Sequence, residues 1–257
     1  MNSIRRRNDI IQLVKHQGSV DVDQLVEKYG VSVETIRRDL RILDEKGIVR
    51  RTYGGAVKKE QKTWDMPYLE RVNLNYKQKE AIAQEAVKLI ENGDSVFIDG
   101  NTTGLAVSRH IPVSLEATIV TNSTFAALNI VQKKGKAQVF LIGGEVGEDG
   151  MTSGHKLYQE LRQYRFDKAM FSCMGITSQG CFFSKVDPLH VAQMLADISK
   201  DLILMADFSK MNRNALFFGL DLRRIDTLVT DSDVPAATLE KLRQPISHII
   251  VAKTAAD

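Results

Sequence analysis

The sequence predicts an α/β protein of two domains: a small N-terminal one with three helices and a hairpin, and a larger one built on a mainly parallel sheet. Three observations support this prediction. Short helical apolar repeats followed by a hairpin pattern occupy residues 1–57. From Lys77 onward, helix-like and strand-like segments alternate, which is typical of a parallel sheet covered by helices. The charge also differs between the two parts, because residues 1–62 carry 14 of the 35 Lys and Arg residues but only 9 of the 32 Asp and Glu residues.

This uneven charge bears on what the chain binds. Residues 1–62 have a balance of +5, whereas the remaining 21 basic and 23 acidic residues have a balance of −2. A basic segment favours contact with a polyanion, although many solvated surfaces carry a similar excess.

The composition is that of a globular protein with a sizeable core, with 43% apolar and 26% charged residues among 257. No stretch approaches the ~20 apolar residues of a membrane helix, and no apolar run follows the Arg5–Arg7 cluster as it would in a signal peptide. We therefore expect a cytoplasmic protein with no membrane partner. Cys173 and Cys181 match neither a CxxC motif nor a zinc set, so we expect reduced thiols, no metal site and no cofactor.

Apolar spacing defines the first two helices. Residues 6–16 carry a helical stripe made of Ile10, Ile11 and Val14. A second, shorter helix ends at Gly30 and repeats the helical spacing at Val22, Leu25, Val26 and Tyr29. Asp21 and Gln24 have the spacing of a capping box at the start of this second helix.

The third helix is expected to begin after a Ser32 cap and to end near Lys46 at Gly47. One face of it is apolar, through Val33, Ile36, Leu40 and Leu43. The opposite face carries Glu34, Arg38 and Arg41, flanked by Thr35 and Arg37. Arginine binds phosphate, or binds guanine through two hydrogen bonds in the major groove of DNA. The alternative is a solvated face whose arginines pair with Asp39, Asp44 and Glu45, and this helix alone leaves both interpretations open.

A hairpin follows, because residues 48–53 alternate like a strand and Gly54-Gly55 forms a sharp turn. Together with the two short helices, the tight turn and the basic helix, this hairpin favours DNA binding. We expect a DNA-binding domain over residues 1–57, a linker over 58–76 and an effector-sensing domain over 77–257. The predicted DNA contacts are Ser32, Glu34, Thr35, Arg37, Arg38, Arg41, Arg50, Arg51 and Tyr53.

In the larger domain we expect seven strands, over residues 95–99, 118–121, 138–142, 168–173, 201–206, 227–230 and 248–251. Helices are expected over residues 77–90, 125–133, 155–164, 189–199 and 236–242, with a further one opened by Thr102 and Thr103. Repeated β–α alternation predicts that the strands form a mainly parallel sheet.

Ligands of such sheets bind beyond the carboxyl ends of the strands, where this sequence has several polar or glycine-rich turns. A helix start such as that at Thr102 favours an anion, through its free N–H groups and its dipole. Each turn alone could serve only to connect a strand to a helix. The candidate effector-binding residues are Asp99, Asn101, Thr102, Thr103, Asn122, Ser123, Gly144, Gly175, Lys185, Asp207 and Lys210. Lys185 is either a solvated loop lysine or the partner of a second anionic group on the effector.

The run from Val31-Ser32 through Thr35-Ile36-Arg37-Arg38-Asp39-Leu40 to Gly54-Gly55-Ala56 resembles the N-terminal signature of the DeoR family of bacterial transcription regulators. The resemblance continues through residues 99–103, 121–123, 143–144 and 207–210, so it covers nearly the whole chain. It implies a winged helix-turn-helix domain and a sensor domain similar in fold to ribose-5-phosphate isomerase. It also implies a repressor of sugar or polyol catabolism that a phosphorylated intermediate releases from DNA.

The sequence departs from the family pattern at two places. Ile176-Thr177-Ser178 follows Gly175 where the family often has an acidic residue, and Ser184-Lys185-Val186-Asp187 stands where it often has an Asn-Glu pair. These departures weaken the case for an isomerase carrying a DNA-binding head, since isomerisation needs a well-placed carboxylate. We expect a non-enzymatic repressor, or alternatively an activator on the same scaffold. It would bind double-stranded operator DNA and a phosphorylated sugar or polyol as a homo-oligomer, either a dimer or a tetramer.

Overall fold

The computed structural model describes residues 3–45, 48–58 and 66–254. The chain divides into two compact units, residues 1–62 and 63–257. We call the first unit the head and the second the body.

The head has the three expected helices, α1 (Ser3–Gln17), α2 (Val22–Tyr29) and α3 (Val33–Glu45). Its strands are β1 (Ser19–Asp21), β2 (Val49–Arg51) and β3 (Gly55–Lys58), which form an antiparallel sheet in the order β1-β3-β2. The wing hairpin is therefore extended by a strand, β1, that apolar periodicity did not predict. The buried core comprises Ile10, Val14, Val20, Val22, Leu25, Ile36, Leu40, Leu43, Val49 and Ala56.

Two details of the head differ from the sequence prediction. Asp21 is the N-cap residue of α2, but its side chain makes no capping hydrogen bond, so the predicted capping box does not form. The predicted end of the third helix at Lys46 and Gly47 lies outside the described residues, and α3 is described up to Glu45. Gly30 ends α2 in the left-handed conformation, with a φ of 62°, which glycine adopts without steric cost.

A seven-stranded parallel sheet forms the centre of the body and confirms the predicted fold class. Its strands are β4 (Ser95–Ile98), β5 (Thr118–Thr121), β6 (Gln138–Leu141), β9 (Phe166–Phe171), β12 (Ser199–Met205), β14 (Thr227–Asp231) and β15 (His248–Ala252). They follow the order β15-β14-β12-β9-β4-β5-β6.

Helices cover both faces of this sheet. They are α4 (Tyr68–Asn73), α5 (Tyr76–Val87), α6 (Thr102–His110), α7 (Thr124–Gln132), α8 (His155–Leu161), α9 (Val186–Ile198) and α10 (Ala236–Arg243). Successive side chains of a strand point to opposite faces, so Phe97 of β4 belongs to one buried cluster with α8 and α9. Val96 and Ile98 belong to a second cluster with α5 and α6.

Several elements of the body were not predicted. Residues 68–73, within the segment expected to be a linker, form α4, which buries the Tyr68 side chain against the body. Two short strands, β7 (Glu145–Val146) and β8 (Thr152–Ser153), form a hairpin. Three more strands, β10 (Gly175–Thr177), β11 (Gly180–Phe183) and β13 (Phe217–Leu220), form a separate antiparallel sheet.

None of the helices within the described ranges is long and apolar enough to span a membrane. The same ranges contain no cluster of His, Cys, Asp and Glu side chains suited to holding a metal ion. Cys173 and Cys181 are both buried, and no disulfide joins them.

Candidate DNA-binding surface and effector pocket

Helix α3 presents a basic surface to solvent. Ile36, Leu40 and Leu43 are buried in the head core, while Glu34, Arg37, Arg38 and Arg41 are exposed. Val33, predicted to lie on the buried face, is 39% exposed, because it lies in the first turn of α3 at the edge of the core. The exposed arginines can therefore reach a molecule outside the head.

The start of α3 is organised by two candidate DNA contacts. The hydroxyl of Ser32 accepts a hydrogen bond from the backbone N–H of Thr35 at 3.2 Å, as an N-cap residue does. The Ser32 and Thr35 hydroxyls also lie 2.8 Å apart, within hydrogen-bonding distance. The cap fixes the direction in which the first turn of α3 approaches a partner.

Asp39 does not neutralise the arginines beside it. Its carboxylate is 3% exposed and faces inward, where it accepts hydrogen bonds from Arg6 Nε at 2.6 Å and Arg7 at 3.0 Å. Among the described residues of the head, Arg37, Arg38 and Arg41 form no ion pair. The alternative, in which Asp39, Asp44 and Glu45 neutralise these arginines, therefore does not form. These guanidinium groups remain available to a polyanion.

The wing places further candidate residues at its exposed tip. Arg50, Arg51 and Tyr53 are all exposed, and the Tyr53 side chain makes full contact with solvent. Gly55 follows the turn, and a Cβ atom there would lie 1.9 Å from the carbonyl oxygen of Val20. The absence of a side chain at Gly55 is what allows β3 to pair with β1.

In the body, a cavity of about 100 Å³ lies at the carboxyl edge of the parallel sheet. Six of the eleven candidate effector residues line this cavity, which we call the effector pocket: Asp99, Asn101, Thr102, Thr103, Lys185 and Lys210. A wider groove of about 700 Å³ shares several lining residues with it, among them Lys185.

Asn101 occupies the start of α6, where we expected free N–H groups. Its Oδ1 atom accepts hydrogen bonds from the backbone N–H groups of Thr103 at 2.9 Å and Gly104 at 2.8 Å. Its Nδ2 atom donates to Asp99 Oδ2 at 2.8 Å. An anion therefore meets the two threonine hydroxyls and the helix dipole rather than a set of unoccupied N–H donors. Burial raises the pKa of the Asp99 carboxyl.

Lys210 supplies positive charge from the short 3-10 helix after β12, Phe208–Lys210. Burial lowers the pKa of its ammonium group, because a charge is poorly solvated there. Within residues 66–254 no hydrogen bond or ion pair of its Nζ atom is found. The charge of the nearby Asp207 carboxylate opposes this pKa shift, and an anionic ligand would add hydrogen bonds to the Nζ atom.

The other five candidates do not line the effector pocket. Asn122 lines the wider groove, and its Oδ1 atom accepts a hydrogen bond from Gly100 N at 2.7 Å. The buried Ser123 caps α7 through Ala126 N at 3.1 Å. Asp207 holds the segment before α5 by accepting a hydrogen bond from Asn75 Nδ2 at 3.1 Å. Gly144 precedes β7, and Gly175 begins β10. These five residues shape the loops around the pocket rather than its surface.

Sequence reasoning missed the contribution of α4. Tyr68 and Arg71 line both the pocket and the groove, as do Asp149 and Met151 of the β7–β8 hairpin. The signal for α4 was present, because Tyr68 and Val72 have helical spacing, but a six-residue helix is shorter than periodicity identifies reliably.

A winged helix-turn-helix head with a basic recognition helix, carried by an α/β body with a cationic pocket, defines a DNA-binding transcription regulator. Comparison with known families agrees with this class. Residues 6–62 match the DeoR-like helix-turn-helix domain, and residues 74–232 match the DeoR C-terminal sensor domain. The chain belongs to the DeoR family.

Its relatives include proteins named as repressors. It is 32% identical to the glycerol-3-phosphate regulon repressor of Escherichia coli strain K12, over 94% of this chain and 96% of that protein. It is also 32% identical to the lactose phosphotransferase system repressor of Staphylococcus epidermidis, over 98% of this chain and 99% of that protein.

Similarity to solved structures is more distant. Ribose 5-phosphate isomerase A from Methanocaldococcus jannaschii gives a TM-score of 0.39 at 16% identity, covering 53% of this chain and 55% of that one. The eIF2B beta subunit from Chaetomium thermophilum gives 0.47 at 13% identity, covering 63% and 50%.

Proposed function

We propose that this protein represses a carbohydrate or polyol catabolic operon and releases its operator when a phosphorylated sugar or polyol binds to the body. The effector-binding part of this proposal rests on one observation: two cations, Lys210 and Lys185, line the same cavity as Thr102 and Thr103. The names of the relatives, which refer to glycerol-3-phosphate and to lactose uptake, support the same class of operon.

Operator binding is assigned to the head. Arg38 and Arg41 lie at the centre of the exposed face of α3, where they contact base edges or phosphates, and Glu34, Thr35 and Arg37 lie beside them. Arg50, Arg51 and Tyr53 of the wing contact the DNA backbone or a groove. Two heads on a repeated site multiply the weak affinity of one, so we propose a homo-oligomer, a dimer or a tetramer, acting in the cytoplasm.

Effector recognition is assigned to the pocket of the body. A phosphate dianion offers several acceptors, which suits the Thr102 and Thr103 hydroxyls and the Lys210 ammonium group. The sugar or polyol part then extends into the wider groove past Lys185. Binding releases DNA by favouring the conformation of the oligomer in which the heads are misplaced.

We propose that the body senses its ligand without turning it over. The Asp99 carboxyl lines the pocket and accepts a hydrogen bond from Asn101, but Ile176-Thr177-Ser178 supplies no second carboxylate after Gly175 for the proton transfer that isomerisation requires. Turnover of ribose 5-phosphate by the purified protein would contradict this assignment.

The proposal is tested by operator release. An operator duplex is selected by the protein from a random library, and its affinity is measured by fluorescence anisotropy with increasing sugar and polyol phosphates. Thr103→Ala and Lys210→Ala should bind the operator normally yet need about tenfold more effector, because each loses a contact to the phosphate. Lys241→Ala, an exposed lysine on α10, is the matched control. If both pocket variants respond like the parent, the effector binds elsewhere.

A further inference from the structure

Arg71 belongs to α4, the helix that follows the chain segment between head and body. Arg71 lines the effector pocket and the adjoining groove. Its Nε atom is buried and has no hydrogen-bond partner among the residues for which the structure gives positions. The guanidinium carbon of Arg71 lies 5.6 Å from the centroid of the Tyr68 ring. Leaving a charged donor unpartnered is costly in a folded protein.

Arg71 shares the pocket with a second cation, because Lys210 lines the same small cavity. Burial is the main cause that lowers the pKa of the Lys210 ammonium group; Asp207 opposes the shift, and the charge of Arg71 adds to it. Two like charges at one cavity repel each other unless an anion lies between them. A phosphate in this cavity offers oxygens to more than one cation, and arginine binds such oxygens through two parallel hydrogen bonds.

Helix α4 is held on the body by contacts other than Arg71. The Tyr68 hydroxyl donates to the carbonyl of Gly100 at 3.2 Å, beside the start of α6. The buried Lys79 donates to the carbonyls of Arg71 and Leu74, at the end of α4. The Asn75 side chain donates a hydrogen bond to Asp207, which lies in the loop that carries Lys210. The helix is thus placed at the pocket before any ligand arrives, with the buried Nε atom of Arg71 left unpartnered among the described residues.

We propose that Arg71 is an effector-binding residue, and that a phosphate bound between Arg71 and Lys210 fastens α4 to the body. In sequence, α4 directly follows the segment that leads from the head. Phosphate binding in the pocket therefore changes the stability of the helix to which that segment is joined. This inference rests on the proposed function, because it assigns a ligand contact and a route of regulation to the same pocket.

The first test measures binding in the full-length chain. Thermal shift and calorimetry are carried out with inorganic phosphate, glycerol 3-phosphate and glucose 6-phosphate, on the parent and on Arg71→Gln. We expect about tenfold or greater weakening in Arg71→Gln, a smaller loss in Arg71→Lys, which keeps the charge, and none in Glu70→Gln, an exposed change on the same helix. The melting temperature without ligand should fall only slightly, because Arg71 has no hydrogen bond to lose and contributes only its contact with the Tyr68 ring. Weakening for inorganic phosphate as well as for the esters locates the contact at the phosphate; loss with the esters alone would overturn the bridging phosphate.

The second test follows α4 itself by amide hydrogen exchange of residues 68–74. In the parent, the phosphate compound that binds most tightly should slow exchange there, and in Arg71→Gln saturated with the same compound it should not. Equal slowing in both proteins would overturn the role of Arg71. If the parent responds to none of the three probes, the proposed function is wrong and this inference falls with it. If the parent responds and Arg71→Gln responds identically, this inference alone is wrong.

Discussion

Replacing Asp39 with alanine should unfold much of the head while leaving the body intact. Asp39 lies within the most characteristic stretch of the sequence, next to two arginines that face solvent. Its carboxylate instead joins α3 to α1, because it accepts hydrogen bonds from Arg6 at 2.6 Å and from Arg7 at 3.0 Å. The side chains of Arg6 and Asp39 are only 7% and 4% exposed, so the pair is screened little by water.

The magnitude follows from what the substitution leaves behind. Removing one partner of a buried ion pair leaves the other charge desolvated and typically costs about 3–5 kcal/mol. A unit of this size is stabilised by roughly 3–9 kcal/mol, at about 0.05–0.15 kcal/mol per residue. The loss is therefore comparable to the stability of the whole head, and it should lower the melting temperature of the head by more than about 10 °C.

The measurement is hydrogen exchange and thermal unfolding of the full-length protein, with operator affinity measured in parallel. Asp39→Ala should lose protection in α1 and α3 and lose operator binding, while body peptides exchange as in the parent. The control is the double variant Arg6→Met with Asp39→Leu, which replaces the pair by apolar side chains and should recover most of the stability. If Asp39→Ala keeps parental protection in α1, the buried pair does not hold the head together.

Four further predictions concern Arg38, the salt dependence of DNA binding, the wing and pH. Arg38→Ala should weaken operator binding about 5- to 150-fold if it reads a base, at about 1–3 kcal/mol, and parental affinity for both operator and random duplexes would remove it from the interface. Each phosphate contact of the head should add about −0.9 to the slope of log affinity against log salt, and a flat salt response would contradict the docking proposed for α3. Gly55→Ala should destabilise the head by about 1–3 kcal/mol, because its Cβ atom would lie 1.9 Å from the Val20 carbonyl oxygen, whereas Gly18→Ala, which meets no atom within 4 Å, tests left-handed strain alone. Effector affinity should fall as pH rises from neutral toward the usual lysine pKa of 10.5, because burial holds the pKa of Lys210 below that value and the free protein loses the proton first. Lys210→Arg should reduce this alkaline fall and leave the part due to Lys79, whose pKa burial lowers to about 8. A parent whose affinity is constant over that range would show that Lys210 does not bind the anion.

The features that the sequence determined are those set by local spacing. Ile36, Leu40 and Leu43 recur at helical intervals, so the buried face of α3 and its exposed arginines could be predicted without knowing what packs against them. The parallel sheet was predictable for the same reason, since each strand and the helix after it have their own periodicity. Repeated β–α alternation then implies that the strands run parallel in one sheet. Val33 escaped this reasoning because burial at the end of a helix depends on its neighbours.

The tertiary structure alone decided which polar groups meet. Asp39 could have paired with the arginines beside it in sequence, and only the packing of α1 against α3 brings Arg6 and Arg7 to it. The same holds in the body, where Asp99 and Lys210, more than a hundred residues apart, line one cavity. Asp207, close to Lys210 in sequence, accepts a hydrogen bond from the distant Asn75. Periodicity assigns a residue to a face of its own element, but hydrogen-bond partners are determined by distances between elements. The place of Arg71 in the pocket belongs to this second kind of information, because only the packing of α4 onto the sheet edge brings it there.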